Sequence, residues 1–166
     1  GTSKHNTVII DNENSSEVWA GFRVGRRAYP FDLSIDRTDE SISVTCSHNG
    51  YARLPGKPIH KRFWTLCDGK LLIRDRVDGF FNVARAYFHL HPDIKIVFAE
   101  EAKWILRRRG CNKKISLVVL KGTGSIKTTM HSPEFGTRLA TRCLTVQFSS
   151  SDEIAVEINW NTNEKN

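Results

Sequence analysis

Two of the six histidines have a spacing that could hold a metal ion. In "NVARAYFHLHP", alternation along a predicted strand puts Tyr87, His89 and His91 on one face. Because side chains at i and i+2 of a strand stand parallel, His89 and His91 could ligate zinc together if another strand supplied a third ligand. A polar sheet face that ends at Pro92 is the simpler interpretation, since alternating strands routinely carry such residues.

A second group of residues has the types expected at a site for an anionic ligand. Basic side chains around two predicted loops are interleaved with aromatic ones: Arg23, Arg26, Arg27, Tyr51, Arg53, Lys57, Lys61, Arg62, Phe63 and Trp64. Guanidinium groups bind carboxylates and sulfates through paired hydrogen bonds, and aromatic faces stack on sugars or bases. A solvated charge run explains this group equally well, and it is the better explanation of the second basic run, which is Arg107–Arg109 with Lys113 and Lys114.

Nucleophilic and acid–base catalysis find little support in the sequence. The chain holds no G-x-S-x-G elbow, no P-loop and no H-E-x-x-H motif. Asp75 and Asp78 are close enough in sequence to act as paired carboxylates, but they fall in a predicted strand and its turn, where solvation explains both. We therefore predict no catalytic residue within this chain.

Size, composition and charge fit one globular domain with an acidic partner. The chain has 166 residues, 39% of them hydrophobic and 26% charged, with a formal net charge of +7. This excess of positive charge suggests nucleic acid, anionic lipid or anionic polysaccharide as a partner, although a merely basic soluble surface explains it as well. No apolar run reaches the about 18 residues that a membrane span needs. Cys46, Cys67, Cys111 and Cys143 form no C-x-x-C pair, and we expect Cys46 to be a buried thiol.

Strand-like runs recur along the chain with turn residues between them. They are "KHNTVIID", "AYPFDLSID", "ISVTCSH", "IHKRFWTLC", "KLLIRDRVD", "NVARAYFHLHP", "IKIVFAE", "KWILRRR", "KISLVVLK", "GSIKTTM", "RCLTVQFS" and "EIAVEINW". "DG" at Asp68 and Gly69 predicts a hairpin, and "AEEAKWILRRRG" is predicted as two strands meeting at "EEA" rather than as a helix. The sequence thus predicts an all-β fold, an antiparallel β-sandwich of roughly a dozen short strands over residues 1–160, followed by a polar tail at 161–166.

Six segments, in their order along the chain, resemble one enzyme family. They are "HNTVIID", "SSEVWAGFRVGRRA", "HNGYARL", "IHKRFWTL", "LLIRDRV" and "YFHLHP". Together they are similar to the C-terminal part of the β-domain of the heparinase II/III-like polysaccharide lyases. The resemblance covers the chain well as far as "YFHLHP" and covers the remaining strands only by pattern.

The resemblance implies an activity for a longer parent protein. Members of the family join an N-terminal α/α toroid to an antiparallel β-sandwich, and they cleave uronic-acid-containing polysaccharides by β-elimination, in which a Tyr or His base removes the proton beside a neutralised carboxylate. The toroid residues that carry out this step would lie outside this chain. The fragment alone is therefore expected to be folded and inactive, and to serve as one wall of the substrate cleft.

The resemblance also implies a metal ligand and a set of substrate contacts. His5, in the "HN" pair, corresponds to one ligand of a zinc ion in the metal-containing members, whose other ligands precede it. Zinc could thus be bound in the intact parent, but none is expected on the fragment alone. The residues expected to bind substrate are Arg23, Arg26, Arg27, His48, Tyr51 and Arg53.

The expected partners follow from the same comparison. They are an anionic polysaccharide and the missing toroid domain of the same chain, and no nucleic acid or membrane span is expected. "KHNTVIID", with His5, Thr7 and Ile9 on one face, would form an exposed edge strand through which copies could self-associate. The resemblance also implies that the parent protein is periplasmic or secreted. A free-standing, non-catalytic carbohydrate-binding β-sandwich for an acidic glycan is the alternative function.

Overall fold

In a computed structural model that describes residues 1–19, 23–149 and 152–160, nearly all of the regular secondary structure is antiparallel β-strand. A 3₁₀ turn at Thr2–Lys4 precedes the first strand. Within the described residues the strands are β1 (Val8–Ile10), β2 (Glu17–Trp19), β3 (Arg23–Arg26), β4 (Pro30–Arg37), β5 (Ser41–His48), β6 (Ile59–Cys67), β7 (Lys70–Asp78), β8 (Ala84–His89), β9 (Ile94–Glu100), β10 (Lys103–Arg108), β11 (Lys114–Lys121), β12 (Thr123–His131), β13 (Leu139–Phe148) and β14 (Glu153–Asn159). The predicted all-β antiparallel sandwich is confirmed. The predicted polar tail, residues 161–166, lies outside the described residues.

Two sheets face each other across one hydrophobic core. The smaller sheet has the strand order β1-β8-β13-β12, and the larger has the order β4-β5-β6-β7-β14-β11-β10-β9. Strands β2 and β3 form a separate two-stranded hairpin. Buried residues of both sheets meet in the core, for example Val8 and Leu144 of the smaller sheet with Ile73 and Val156 of the larger. The fold therefore depends on apolar side chains that alternate with polar ones along several of the longer strands, such as β7 and β8.

Two turns that the sequence predicted are present. The hairpin of β6 and β7 turns at Asp68 and Gly69, where Gly69 has a φ of 68° that suits glycine. Strands β9 and β10 pair as a second hairpin, with Ala102 between them at a φ of 58°. The prediction of two strands over "AEEAKWILRRRG", rather than a helix, is confirmed.

The larger sheet extends past the smaller one and leaves part of its inner face uncovered. One row of paired residues crosses five strands of this sheet, from β4 to β14: Ile35, Val44, Trp64, Ile73 and Val156. Ile73 and Val156 are buried, Val44 and Trp64 are half-buried, and Ile35 is 62% exposed. The apolar core thus continues onto β4 and β5, and none of the described strands forms a second layer above this part of the sheet.

The first strand is shorter than the sequence predicted. The predicted strand began before His5, whereas β1 begins at Val8, and His5 is exposed after the 3₁₀ turn. The backbone N–H groups of Lys4 and His5 donate to Gly1 and Thr2 within this turn, so they are not available to a sheet ladder. All three residues of β1 are buried, which also differs from the predicted alternation.

The outer edge of β1 is occupied by side chains of the same chain. The Tyr51 hydroxyl donates to the carbonyl oxygen of Val8 at 2.6 Å, and Arg62 Nη1 donates to the carbonyl oxygen of Asn6 at 2.5 Å. These carbonyl groups are therefore already hydrogen-bonded, which reduces what the edge offers to another strand. The predicted self-association through this edge stays a prediction.

The four cysteines are free thiols. Cys143 is buried, and Cys46, Cys67 and Cys111 are half-buried. The expected burial of Cys46 is met only in part, because Cys46 lies on β5, where the smaller sheet no longer covers the inner face. No helix in the described ranges is long and apolar enough to cross a membrane.

Candidate functional site

A network of polar side chains lies on the inner face of β5, β6 and β7. Arg62 and Asp75 are cross-strand neighbours, as are His48 and His60. Arg62 Nε donates to Asp75 Oδ1 at 2.6 Å and Arg62 Nη2 donates to Asp75 Oδ2 at 2.8 Å, which makes a two-pronged ion pair. His60 Nε2 lies 2.7 Å from the same Oδ1, and His48 Nε2 lies 3.0 Å from His60 Nδ1. Strand pairing therefore brings together four groups that are far apart in the sequence.

Asp75 is fully buried, with no exposed surface. The sequence-based explanation of this carboxylate by solvation is wrong, because alternation along β7 turns Asp75 inward together with Ile73 and Val77. The explanation fits Asp78, which is exposed and lies 2.7 Å from Arg76. Burial by itself raises the pKa of Asp75, but the Arg62 charge and the His60 hydrogen bond outweigh it and hold that pKa below its ordinary value.

The hydrogen bonds of the two histidines fix where their protons lie. The backbone N–H of Gly50 donates to His48 Nδ1 at 3.2 Å, so the proton of a neutral His48 is on Nε2. His48 Nε2 then donates to His60 Nδ1, and His60 Nε2 donates to Asp75 Oδ1. Burial lowers the pKa of His48 to about 4, and the nearby positive charge of Arg62 adds to this effect. With one proton on each imidazole ring, every hydrogen bond from Gly50 through His48 and His60 to Asp75 has one donor and one acceptor.

This network fixes the segment in front of β1. Besides binding Asp75, Arg62 donates to the carbonyl oxygen of Asn6. The side-chain oxygen of Asn6 accepts from the backbone N–H of His89 at 2.8 Å, and His89 Nε2 donates to the carbonyl oxygen of Ser3 at 2.9 Å. The 3₁₀ turn is thus tied to β8 directly and to β6 through Arg62. The network holds and orients the chain, and it presents no activated nucleophile.

Three of the predicted substrate-binding residues lie together on one exposed element. Arg23 and Arg26 belong to β3, Arg27 follows it, and all three are exposed. Trp19, on the paired strand β2, is 59% exposed and packs over Gly25, where an added Cβ would lie 2.5 Å from the indole Nε1. We call β2, β3 and Arg27 the arginine hairpin. Sequence reasoning missed Trp19, although an aromatic residue in the same segment as three arginines was a usable signal.

Of the other three predicted residues, Arg53 contacts the arginine hairpin through Glu17, whereas Tyr51 and His48 bind residues of the interior. Tyr51 is fully buried, and burial raises the pKa of its phenol, which keeps its proton for the carbonyl of Val8. Arg53 lies 3.4 Å from Glu13 and 3.2 Å from Glu17, with its side chain 12% exposed. His48 belongs to the buried network. Tyr51 therefore offers a sugar no surface, and the charge of Arg53 is compensated within the chain.

The basic and aromatic run on β6 is divided by the pleat of the strand. Arg62 points inward, with its guanidinium carbon 5.9 Å from the Trp64 ring and 5.6 Å from the Phe88 ring. Phe63 points outward, with Lys61 Nζ 5.3 Å and the Arg74 guanidinium 4.9 Å from its ring. Adjacent residues that form one group in the sequence therefore lie on opposite faces of the sheet.

The described residues do not form a metal site on their own. No group of three or more His, Cys, Asp or Glu side chains within them could hold an ion. Strand β8 ends at His89, so His91 lies beyond it, and His89 Nε2 already donates to Ser3. His5 is exposed beside the 3₁₀ turn. A zinc ion at His5 would need its remaining ligands from outside the described residues.

Comparisons with known proteins agree on one family. The sequence model of the family described as "Heparinase II/III-like, C-terminal" matches residues 1–161. The solved structure of heparan sulfate lyase HepC from Pedobacter heparinus is similar with a TM-score of 0.73 at 14% identity, over 95% of this chain and 24% of that one. Two structures of heparinase III give TM-scores of 0.69 and 0.67 at 12% and 13% identity, each over 94% of this chain and 23% of theirs. No curated protein sequence matches significantly. The chain therefore spans less than a quarter of the length of these solved structures.

We predict that Asp75→Asn lowers the free energy of unfolding by about 3–5 kcal/mol, because it leaves the buried Arg62 charge uncompensated. The matched change Asp78→Asn, at the exposed end of the same strand, should cost less than about 1 kcal/mol. Urea denaturation near neutral pH measures both. Equal effects of the two changes would show that the buried pair has no special role in stability.

We also predict that the protein loses stability as the pH falls from about 6.5 to about 4. In this range the unfolded chain protonates His48, whereas the folded chain keeps it neutral, so protons favour unfolding. Asp75 extends the loss to lower pH, because its pKa in the folded state is below the ordinary 3.8. His48→Gln, which keeps an acceptor and a donor but does not titrate, should flatten the decline in unfolding free energy between about pH 7 and pH 5. An unchanged slope in this variant would contradict the assignment to His48.

Proposed function

Because the chain belongs to the heparinase II/III-like family, as its C-terminal domain, we propose that it is the C-terminal β-domain of a polysaccharide lyase. The parent protein would cleave anionic, uronic-acid-containing polysaccharide by β-elimination. The observation that carries this proposal is the family match, which runs along the chain from residue 1 to residue 161. The β-domain by itself would bind and position substrate while the elimination chemistry takes place on the rest of the parent.

Charge supports the proposed substrate class. The net charge is +7, and the charges that stabilise the fold are paired internally: Arg62 with Asp75, and Arg53 with Glu13 and Glu17. The arginine hairpin presents its guanidinium groups to solvent beside the exposed indole of Trp19, and the exposed Arg26 also lies 3.7 Å from Glu17 of the paired strand. Guanidinium groups bind carboxylates and sulfates, and an indole face can stack on a sugar ring. We assign Arg23, Arg26 and Arg27 as substrate-binding residues and add Trp19 to them.

The uncovered inner face of β4 and β5 supports a larger parent chain as the partner. This face continues the hydrophobic core, and Ile35 on β4 is 62% exposed on it. The solved relatives are about four times as long as this chain, so a parent of similar length would have residues to cover it. We propose that the N-terminal part of the parent, with its α/α toroid, packs here. Such a parent would be periplasmic or secreted.

A metal remains a proposal for the parent protein only. His5 would be one zinc ligand there, because it is exposed and directly follows the 3₁₀ turn that His89 and Arg62 hold in place. A lone histidine binds zinc weakly compared with a three- or four-ligand site. The 166-residue chain would therefore bind zinc weakly if at all.

A non-catalytic carbohydrate-binding domain is the second candidate function. The arginine hairpin favours it, since an exposed tryptophan beside three exposed arginines is able to bind an acidic glycan without help from another domain. Retention on an anionic glycan column that weakens with salt would be common to both functions. Product formation by the parent protein separates them.

We predict that the 166-residue chain does not raise the ultraviolet absorbance of unsaturated uronates when it is mixed with heparin, alginate or hyaluronan. The physical reason is that the part of the chain that the structure describes offers no activated base. A parent protein that includes the toroid should raise it with at least one of these polysaccharides. Turnover by the short chain would contradict the proposed division of labour, and an inactive parent whose β-domain still binds glycan would favour the carbohydrate-binding alternative.

We also predict different effects of Ile35→Glu in the two proteins. In the 166-residue chain it should change the unfolding free energy by less than about 1 kcal/mol, because Ile35 is largely exposed. In the parent protein it should cost about 2 kcal/mol or more, because the new carboxylate would be buried at the domain contact. Thermal or urea denaturation measures both effects.

The matched control is Leu120→Glu, at an exposed leucine on β11. This change should have a small effect in both proteins. Equal effects of Ile35→Glu on the unfolding free energy of the short and long proteins would contradict the proposed packing of the toroid on this face. A concentration-dependent dimer of the short chain, abolished by Ile35→Glu, would assign the face to a second copy instead.

A further inference from the structure

A pocket of about 640 Å³ lies between the 3₁₀ turn and the hairpin of β12 and β13. Its lining residues come from four places: the turn, the end of β8, the end of β12 with the loop that follows, and the start of β13. They are Lys4, His89, Met130, His131, Ser132, Arg138 and Thr141. The volume is in the range of pockets that hold small ligands. His89 lines this pocket and was a candidate metal ligand in the sequence analysis, but no motif predicted the pocket, and the arginine hairpin contributes no residue to it.

The lining of the pocket is cationic and contains no carboxylate. Lys4 and Arg138 carry fixed positive charges, and both are exposed at the rim. His89 and His131 are the other titratable side chains in the lining. The acidic residue of the adjoining loop, Glu134, accepts a hydrogen bond from the Thr137 hydroxyl at 3.3 Å and does not line the pocket. The positive charges of the pocket thus have no carboxylate in the lining, whereas the charges of Arg53 and Arg62 are compensated by nearby carboxylates.

The inner wall of the pocket is held in place before any ligand arrives. His89 donates its Nε2 proton to Ser3 and its backbone proton to Asn6, and Asn6 is held in turn by Arg62. The Thr141 hydroxyl donates to the carbonyl oxygen of Leu90 at 2.5 Å. A prebuilt wall reduces the entropy that binding would otherwise cost. The buried Arg62–Asp75 pair therefore stabilises the turn that carries Lys4.

We propose that this pocket binds one carboxylate- or sulfate-bearing sugar unit of an anionic polysaccharide, with Lys4 and Arg138 as its charge partners. The sugar class rests on the proposed function, whereas the preference for an anion rests on the lining itself. Ser132 offers a hydroxyl to the sugar, and the Thr141 hydroxyl oxygen can still accept a hydrogen bond. The pocket would be a subsite separate from the arginine hairpin, so a long polyanion could contact both.

The test uses the isotope-labelled 166-residue chain and three probes at low ionic strength. Glucuronate carries only a carboxylate, inorganic sulfate carries only the sulfate charge, and glucose is neutral. We expect glucuronate, sulfate or both to shift the backbone amide signals of His131, Ser132 and Arg138, and glucose to leave them unchanged. The stronger of the two anions identifies whether a carboxylate or a sulfate is preferred.

A charge-matched pair of variants tests the assigned residues. Lys4→Gln combined with Arg138→Gln should weaken anion binding at these amides by about tenfold, because two direct charge contacts are lost. Arg37→Gln combined with Lys103→Gln removes the same net charge at exposed positions on β4 and β10 that do not line the pocket, and should weaken it less than about twofold. Anion-induced shifts confined to other residues, or equal losses in both double variants, would overturn the proposal.

The outcome is distinguishable from the outcome for the proposed function. Anion binding in the pocket without lyase activity of the parent protein would support the proposed anion site and contradict the proposed lyase function. Lyase activity of the parent protein without anion-induced shifts at the pocket would support the proposed lyase function and contradict the proposed anion site.

Discussion

The ion pair between Arg62 and Asp75 is the interaction on which the other features of this structure depend. A carboxylate without any exposed surface is costly to bury, and here both of its oxygens are bound by one guanidinium group and one also by His60. The third nitrogen of the guanidinium, Nη1, donates to the carbonyl oxygen of Asn6, which lies just before β1 of the smaller sheet. One buried charge pair thus links β6 and β7 of the larger sheet to the chain that enters β1. Apolar packing could replace the energy of such a pair, but it could not supply this directional connection.

Charged residues in the interior of this protein stabilise the fold, whereas several on its surface are exposed to solvent. Arginines that hold the fold have carboxylate or carbonyl partners, whereas those of the arginine hairpin are exposed. The pocket beside the 3₁₀ turn is intermediate, since its wall is fixed by the buried network and its rim carries free charge. A protein that binds a polyanion benefits from this arrangement, because fixed positive groups attract the ligand without a rearrangement that would cost free energy.

The two sheets differ in width, and this difference is the basis for the proposed contact with the rest of the parent protein. Four strands cannot cover eight, so the inner face near β4 retains apolar side chains that no second layer of the described strands covers. In a β-sandwich such a face is ordinarily covered. The buried network lies at the boundary between the covered and uncovered parts of the larger sheet. There Tyr51 binds Val8 of β1, the edge strand of the smaller sheet, and Arg62 binds Asn6 just before that strand. The polar residues therefore close the core on the side where apolar packing stops.

The sequence by itself determined the fold class, most strand positions and the family. Alternation has a fixed period, and the "DG" turn is a local signal, so both are readable without tertiary structure. The order of six short segments was enough to indicate heparinase II/III-like proteins, which the family match confirms. The grouping of Arg23, Arg26 and Arg27 on one exposed element also followed from their closeness in sequence.

Only the tertiary structure decided which polar residues are inside. Asp75 looked like a solvated carboxylate, and Tyr51 and Arg53 looked like ligand contacts, because the sequence gives no information on which strand lies opposite which. Register places Arg62 across from Asp75 and His48 across from His60, and sheet packing places Tyr51 beneath Val8. The pocket formed by Lys4, His131 and Arg138 was equally hidden, since its walls come from segments more than a hundred residues apart. A sequence fixes the period of each strand locally, whereas burial and pairing depend on contacts between distant strands.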